Sequence, residues 1–221
     1  MVQKKRGQMS ESLAIGLLLA LTGGFLDAYT YVAHGRVFAN AQTGNIVLLG
    51  MNLADRNFAL ALSYLVPILA FVAGVAVAEV IRHRNRWQKL HWRQITVLFE
   101  VVTLAVCAFL PPAQDRLVTS LISFVCALQA ESFRTIAGNT LATTMCTGNL
   151  RTATELLSLG LLRGEREPRR RSAVYYLVIL AFLAGAAAGD FLTRRFGTYT
   201  SLFCAGFLLL GFLIMFRKAE R

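Results

Sequence analysis

Two acidic residues stand inside long apolar stretches of this sequence, each 16 residues before a Thr-Gly-Asn tripeptide. Asp27 precedes the tripeptide at 43–45, and Glu131 precedes the tripeptide at 147–149. A carboxylate inside an apolar helix is costly unless it is protonated, faces water or meets a partner from another helix. Asp27 has no cationic residue three or four positions away along its helix. The spacing therefore indicates a site at which Asp27 binds a proton or a cation, or forms a gating ion pair; the alternative is a buried ion pair that fixes helix register.

Both tripeptides are interpreted as the beginnings of short helices. A Thr or Asn at this position can cap the free N–H groups of a first turn. A helix start also carries partial positive charge, which suits an anionic group. Two symmetry-related starts would point at a common central site, whereas ordinary capping would need no ligand.

Arg134 is the expected partner for the acids. It follows Glu131 by three residues, so the two can pair along one helix face, and the same arginine could reach Asp27 from a neighbouring helix. Gln129 and the asparagines of the tripeptides would supply hydrogen bonds. The predicted substrate- or ion-binding residues are Asp27, Arg134, Thr43, Gly44, Asn45, Gln129, Glu131, Thr147, Gly148 and Asn149.

Other charged residues are assigned simpler roles. Glu79 and Asp190 each have an arginine three or four positions later, which predicts salt bridges near helix ends. Glu100 is expected at the membrane interface and His34 in a loop. No nucleophile–base arrangement, metal-ligand set or cofactor motif appears, so neither an enzyme nor a bound cofactor is expected.

The composition places these residues in a membrane. Hydrophobic residues make up 56% of the 221 and charged residues 16%, against about 45–50% and about 25% in soluble domains. The apolar stretches are about the length that crosses a bilayer. The sequence thus predicts an all-α protein of one membrane domain, residues 1–221, with six transmembrane helices: Leu13–Ala33, Ala59–Ile81, Ile95–Leu110, Leu117–Ala137, Ala173–Leu192 and Thr200–Phe216.

The distribution of basic residues predicts the topology. Six crossings with a cytoplasmic N-terminus leave most of the 23 Lys and Arg residues on the cytoplasmic side, as the positive-inside rule requires. Letting the two Thr-Gly-Asn helices cross as well would spread the charge more evenly, so these helices are expected not to span. The net charge of +11 is explained by topology, and no nucleic-acid partner is expected.

The sequence also predicts an internal duplication, with repeat 1 at residues 11–112 and repeat 2 at 116–217. Tyr64–Gly74 resembles Tyr175–Gly185, and both copies place small residues four apart. Three crossings in each repeat would invert the second copy, an arrangement found in many secondary transporters. The small-residue rows could pack helices within one chain or join two copies in a homo-oligomer.

Over nearly its whole length the sequence resembles the YoaK-type family of bacterial membrane proteins. The resemblance rests on Gly24–Ala28, on the tripeptide at 43–45 with Leu48–Gly50, and on Gln129, Phe133-Arg134 and Thr143–Arg151 with Glu155. It implies about six helices, and the family is described as a small-metabolite permease of unknown function. Glu131 departs from the family pattern, in which this position is often uncharged, so the resemblance favours Asp27 and Arg134.

These observations together predict a bacterial plasma-membrane carrier of a small, anionic metabolite, with both termini cytoplasmic. Asp27 would be the protonatable or gating group, Arg134 and the two helix starts would hold the substrate's negative charge, and the two repeats would rock against each other. The alternatives are a channel and a non-transporting scaffold or sensor.

Overall fold

A computed structural model describes residues 12–84 and 89–215, and within these ranges the chain is almost entirely helical. The helices are α1 (Leu13–Ala33), α2 (Gln42–Ala54), α3 (Phe58–Arg84), α4 (Lys89–Cys107), α5 (Asp115–Ser132), α6 (Cys146–Leu162), α7 (Arg166–Phe196) and α8 (Thr200–Met215). Two short strands, β1 (Thr135–Ile136) and β2 (Asn139–Thr140), pair antiparallel between α5 and α6. The prediction of an all-α protein is confirmed. The basic residues at 4–6 and 217–221, on which the topology prediction partly rests, lie outside the described ranges.

Helix α1 forms the centre of the protein. Of its most apolar 18-residue window 67% is buried, against 22% for that of α3. It packs chiefly against α7 and also against α8, and its side chains Phe25, Leu26 and Tyr29 are fully buried. Because α1 packs against other helices on several sides, it has no extended solvent-facing side, and this explains why its sequence is apolar nearly all around the helix.

The main helix contacts of the two halves correspond. α1 packs on α7 as α5 packs on α3, and α2 packs on α3 as α6 packs on α7. α4 contacts α5 as α8 contacts α1, and α4 and α8 pack on each other. Exchanging α1–α4 with α5–α8 therefore leaves this pattern of main contacts unchanged.

In the part of the chain that the structure describes, three helical segments are long and apolar enough to cross a membrane: Leu13–Ala33, Phe58–His83, and Arg166–Met215, which contains α7 and α8. These segments contain four of the six predicted crossings. α2 and α6, the helices at the tripeptides, have 13 and 17 residues and are not among the segments. The six-span count remains a prediction.

Two predicted boundaries are wrong. α5 ends at Ser132 rather than continuing to residue 137: Phe133 leaves the helical conformation, with φ of −119° and ψ of +52°, and Ala137 and Gly138, with φ values of +49° and +75°, turn the chain between β1 and β2. Arg134 was expected within a helix but lies just past the end of α5, and its side chain is 46% exposed. The crossing predicted at Ala173–Leu192 begins earlier, because α7 starts at Arg166 and includes most of the basic stretch at 163–171.

The crossing of α1 and α7 depends on close backbone approach. A Cβ at Gly185 would meet the backbone of Leu21, and one at Gly24 would meet the backbone of Phe182. A Cβ at Gly189 would lie 2.5 Å from the carbonyl oxygen of Phe25. These positions confirm the small residues of α7 as a packing surface within the chain.

We expect Gly185→Ala to destabilise the protein, because the added methyl group collides with backbone that no change of side-chain rotamer can move. Overpacking of this kind costs about 1–3 kcal/mol, which thermal unfolding of the purified protein in detergent would measure. Gly206→Ala in α8 is the matched control, since a Cβ there meets nothing within 4 Å and alanine favours the helix. Equal melting temperatures for the two variants would contradict the crossing described here.

Candidate functional site

Asp27 and the starts of α2 and α6 line one cavity of about 680 Å³. α2 contributes Thr43, and α6 contributes Thr147 and Gly148. The aromatic side chains along the wall are Tyr31, Phe38, Phe71 and Phe182. The volume lies within the range of about 300–1,000 Å³ that small-molecule pockets occupy. The two tripeptides thus meet at a common site, as their pseudo-symmetric spacing predicts.

The Asp27 carboxylate is bound to the segment that leads into α2. Its Oδ1 accepts hydrogen bonds from the N–H groups of Asn40, at 2.6 Å, and Ala41, at 3.3 Å. Ala41 precedes the first residue of α2, and no side chain caps that helix locally. Asp27 supplies from α1 the anionic acceptor that a helix start favours. Its Oδ2 is buried and has no hydrogen-bond partner within the described part of the chain.

The asparagine of each tripeptide fastens the irregular segment before its helix. The Asn45 side chain donates to the carbonyl oxygen of Phe38 at 2.7 Å and accepts from the Phe38 N–H at 2.9 Å. Asn149 donates to the carbonyl oxygen of Ala142 at 2.7 Å, seven residues back as in the first copy. Both asparagines are buried, so they hold the cavity wall in place from behind.

The threonines do not cap their helices. α2 begins at Gln42 and α6 at Cys146, one residue before each threonine, and the cap residues Ala41 and Met145 make no side-chain cap bond. The capping interpretation of Thr43 and Thr147 is therefore wrong. The reason is that Asn45 and Asn149 bond to Phe38 and Ala142, seven residues back, and so hold the segment before each helix. Each helix then begins before its threonine, which lies in the first helical turn.

The two helix starts differ in what faces them. α2 has the Asp27 carboxylate at its start. Among the described residues no carboxylate takes this place at the start of α6, since Glu131 at the corresponding position pairs with Arg134 instead. The first-turn N–H groups of a helix have no partner within the helix, and at α6 Thr147 and Gly148 present this turn to the cavity. The α6 start is the one open to an external anionic group.

Six of the ten predicted site residues do not line the cavity: Asn45 and Asn149, which lie behind its wall, and Arg134, Glu131, Gln129 and Gly44. The Arg134 guanidinium pairs with Glu131 and lies 3.6 Å from Glu79, so it does not serve as the partner of Asp27. Gln129 is buried and donates to Glu100 at 2.7 Å. Gly44 packs behind the wall, against the ring of Phe38. The predicted pairs of Glu79 with Arg82 and of Asp190 with Arg194 are confirmed.

The prediction that Glu100 is interfacial is wrong. Its side chain is fully buried in α4, and its only described hydrogen-bond partner is the Gln129 amide of α5. The signal in the sequence was an acid and a glutamine in two apolar stretches, but spacing alone could not show that these helices touch.

His34 is the second polar group that the sequence interpretation underestimated. It ends α1 and is buried, with Nδ1 at 2.8 Å from Asp115 Oδ1 and Nε2 at 2.9 Å from the Tyr29 hydroxyl. These bonds tie the end of α1 to the start of α5. A further cavity of about 520 Å³ adjoins His34 and Asp115. Among the described residues, no group of three His, Cys, Asp or Glu is placed to hold a metal ion.

A family profile described as "Protein of unknown function (DUF1275)" matches residues 15–215. The chain belongs to this family. It is also similar to the UPF0700 transmembrane protein YoaK of Bacillus subtilis (strain 168), with 24% identity over 180 residues, which cover 76% of this chain and 78% of that protein. No solved structure matches the chain. The resemblance seen in the sequence is confirmed, and with it the assignment to a family of transmembrane proteins.

We expect a polar thiol reagent to modify Cys146 and to leave the other three cysteines unmodified. Cys146 lines the cavity and is only partly buried, whereas Cys107, Cys126 and Cys204 are buried. Mass spectrometry of the folded protein after brief exposure to a methanethiosulfonate would locate the label. Cys146→Ser should abolish labelling, and equally fast labelling of Cys126 would contradict an open cavity at the α6 start.

Proposed function

We propose that this protein is a secondary transporter that carries a small solute through the cavity between the starts of α2 and α6. The main support for the proposal is that the intramembrane acid Asp27 and the helix starts of both halves line the same cavity. Transporters that bind solute near the middle of the bilayer commonly use broken helices in this way. The proposed location is the bacterial plasma membrane, with both termini cytoplasmic.

The proposed architecture is a pair of inverted three-helix repeats with six crossings. Three features support it. The main helix contacts are unchanged when the halves are exchanged. Asn45 and Asn149 make the same bond seven residues back. The short helices α2 and α6 occupy corresponding positions, and neither meets the length and hydropathy of a membrane span.

The α6 start is the proposed subsite for a negatively charged group of the solute. Its first-turn N–H groups and its helix dipole favour an anion, and Thr147 adds a hydroxyl. A second feature points to a ligand at the same place: Asp27 is 5% exposed and lines the cavity, and its Oδ2 lacks a described hydrogen-bond partner. The aromatic wall suits an apolar portion of the solute, so a small amphipathic carboxylate or phosphate fits best.

Proton coupling follows from placing such an anion in the same cavity as Asp27. A charged Asp27 would repel the anion, while a protonated Asp27 would not. Anion binding therefore favours proton binding, and the converse holds by linkage. Arg134 has no part in this scheme, because its guanidinium is engaged by Glu131 and Glu79.

The inverted arrangement makes a prediction about sidedness. Cysteines introduced at Asp55, after α2, and at Glu165, before α7, should be labelled from opposite sides of the membrane. Both positions are exposed, and the labelling would use an impermeant reagent on right-side-out and inverted vesicles of a variant without the native cysteines. If α2 and α6 crossed the bilayer, the two cysteines would label from the same side, and the inverted repeat would be wrong.

Solute binding is tested by thermal shift of the purified protein with a panel of carboxylates, phosphates, amino acids and amines. A solute present at 100 times its Kd should stabilise the protein by about 2.7 kcal/mol. For an anionic solute the stabilisation should increase at lower pH and be lost in Thr147→Pro, in which the first-turn N–H is removed without introducing a charge.

Glu155→Gln on α6 is the control, because this exposed carboxylate pairs with Arg151 away from the cavity. Hits would then be tested for uptake into proteoliposomes, where saturable flux separates a carrier from a channel. Stabilisation by amines alone would overturn the anionic subsite. A panel without any hit, with Asp27→Asn merely less stable, would favour the scaffold.

A further inference from the structure

We propose that Glu100 is a proton-binding site of this protein and that it is connected to the cavity through Cys126 and Asn40. Its burial, its bonding and its neighbours each support this assignment. Proton binding at Glu100 does not depend on the proposed transport, whereas its role in coupling does.

The environment of Glu100 disfavours an ionised carboxylate. Its side chain is fully buried, Oε2 accepts a hydrogen bond from the neutral Gln129 amide, and Oε1 has no hydrogen-bond partner within the described ranges. An ionised carboxylate held this way has lost its hydration and gained one bond from an uncharged donor. The cost of burying that charge is avoided when the carboxyl carries a proton.

The groups that face Glu100 come from every helix packed around it. α5 presents Cys126 and Gln129, and α8 presents Cys204, whose thiol is also buried and points to the carbonyl oxygen of Thr22 at 3.9 Å. On α4 itself, Arg93 lies two turns away, where it donates to the Ser132 carbonyl oxygen and lies over the Phe133 ring. The immediate surroundings are thiols and an amide.

Cys126 links this buried acid to the cavity. Its thiol is buried, and the carboxyl groups of Glu100 and Asp27 and the Asn40 side chain lie within electrostatic range of it. Asn40 in turn lines the cavity and donates its backbone N–H to Asp27. Glu100, Cys126, Asn40 and Asp27 therefore form a buried row of polar groups that joins the α4–α5 contact to the cavity.

In this arrangement the carboxyl groups of Asp27 and Glu100 have different roles. Asp27 meets the solute, while Glu100 lies outside the cavity and can keep its proton when the solute is absent. Transfer along the row conserves atoms and charge, because the proton that leaves one carboxyl group is taken up by the other. Of the two groups between the carboxyls, only the thiol of Cys126 can both release and accept a proton; the Asn40 amide contributes hydrogen bonds and does not carry the proton.

The test is infrared difference spectroscopy of the purified protein in lipid, recorded between high and low pH in H2O and D2O. A protonated carboxyl group gives a C=O stretch above the amide I band, which shifts down on deuteration. We expect such a band from Glu100 at neutral pH. It should be lost in Glu100→Gln, retained in Asp27→Asn, and unchanged in the control Glu155→Gln.

Two further variants keep the test decisive should Glu100→Gln fail to fold. Glu100→Asp should move the band without removing it. Gln129→Leu leaves the Glu100 carboxyl intact but removes its hydrogen-bond donor, so the C=O stretch should shift to higher frequency. A neutral-pH band that is absent from the parent, or insensitive to changes at both Glu100 and Gln129, would overturn the proposal.

Proton transfer between Glu100 and the cavity is tested by a separate measurement. A pH step applied to proteoliposomes on a solid-supported membrane, with no solute present, should displace charge in the parent and less in Cys126→Ala or Glu100→Gln. Equal displacement in all three would show that the row does not carry protons. The infrared band at Glu100 would stand even then, and even when no solute binds, so a failure of this inference is distinguishable from a failure of the proposed transport.

Discussion

Hydrocarbon offers no hydrogen bonds, so every backbone group at membrane depth must find its partner within the protein. The segment between α1 and α2 is not helical and cannot pair with itself. Asp27 Oδ1 satisfies two of its N–H groups, and Asn45 binds both the N–H and the carbonyl of Phe38. The irregular segment between α1 and α2 and the cavity beside it depend on these few bonds.

Part of this arrangement could be read from the sequence because it is repeated. One acid before one Thr-Gly-Asn tripeptide means little, but the same spacing in both halves constrains two elements at once and predicts that the helix starts face each other. The apolar composition decided the all-α class in the same way, since the bilayer leaves few alternatives. Asp27, Thr43, Thr147 and Gly148 were accordingly placed at the site that the structure shows.

The rest depended on contacts between helices that spacing does not encode. Arg134 was predicted to be the partner of Asp27, yet α5 ends at Ser132 and the Arg134 guanidinium pairs with Glu131. The sequence predicted an interfacial Glu100 because it shows only the position of this residue along its own helix, and not which other helices cover it. Its burial is produced by α5 and α8, whose approach to α4 appears only in the folded protein.

The glycine contacts between α1 and α7 join the two halves of the chain. Backbone packed on backbone does not yield by changing rotamers, so α1 and α7 form a closely packed pair although they come from opposite halves of the chain. α6 packs on α7, while α2 and α5 pack on α3. The helices thus form two groups, α1–α6–α7 and α2–α3–α5, each drawn from both halves, and residues of both groups line the cavity.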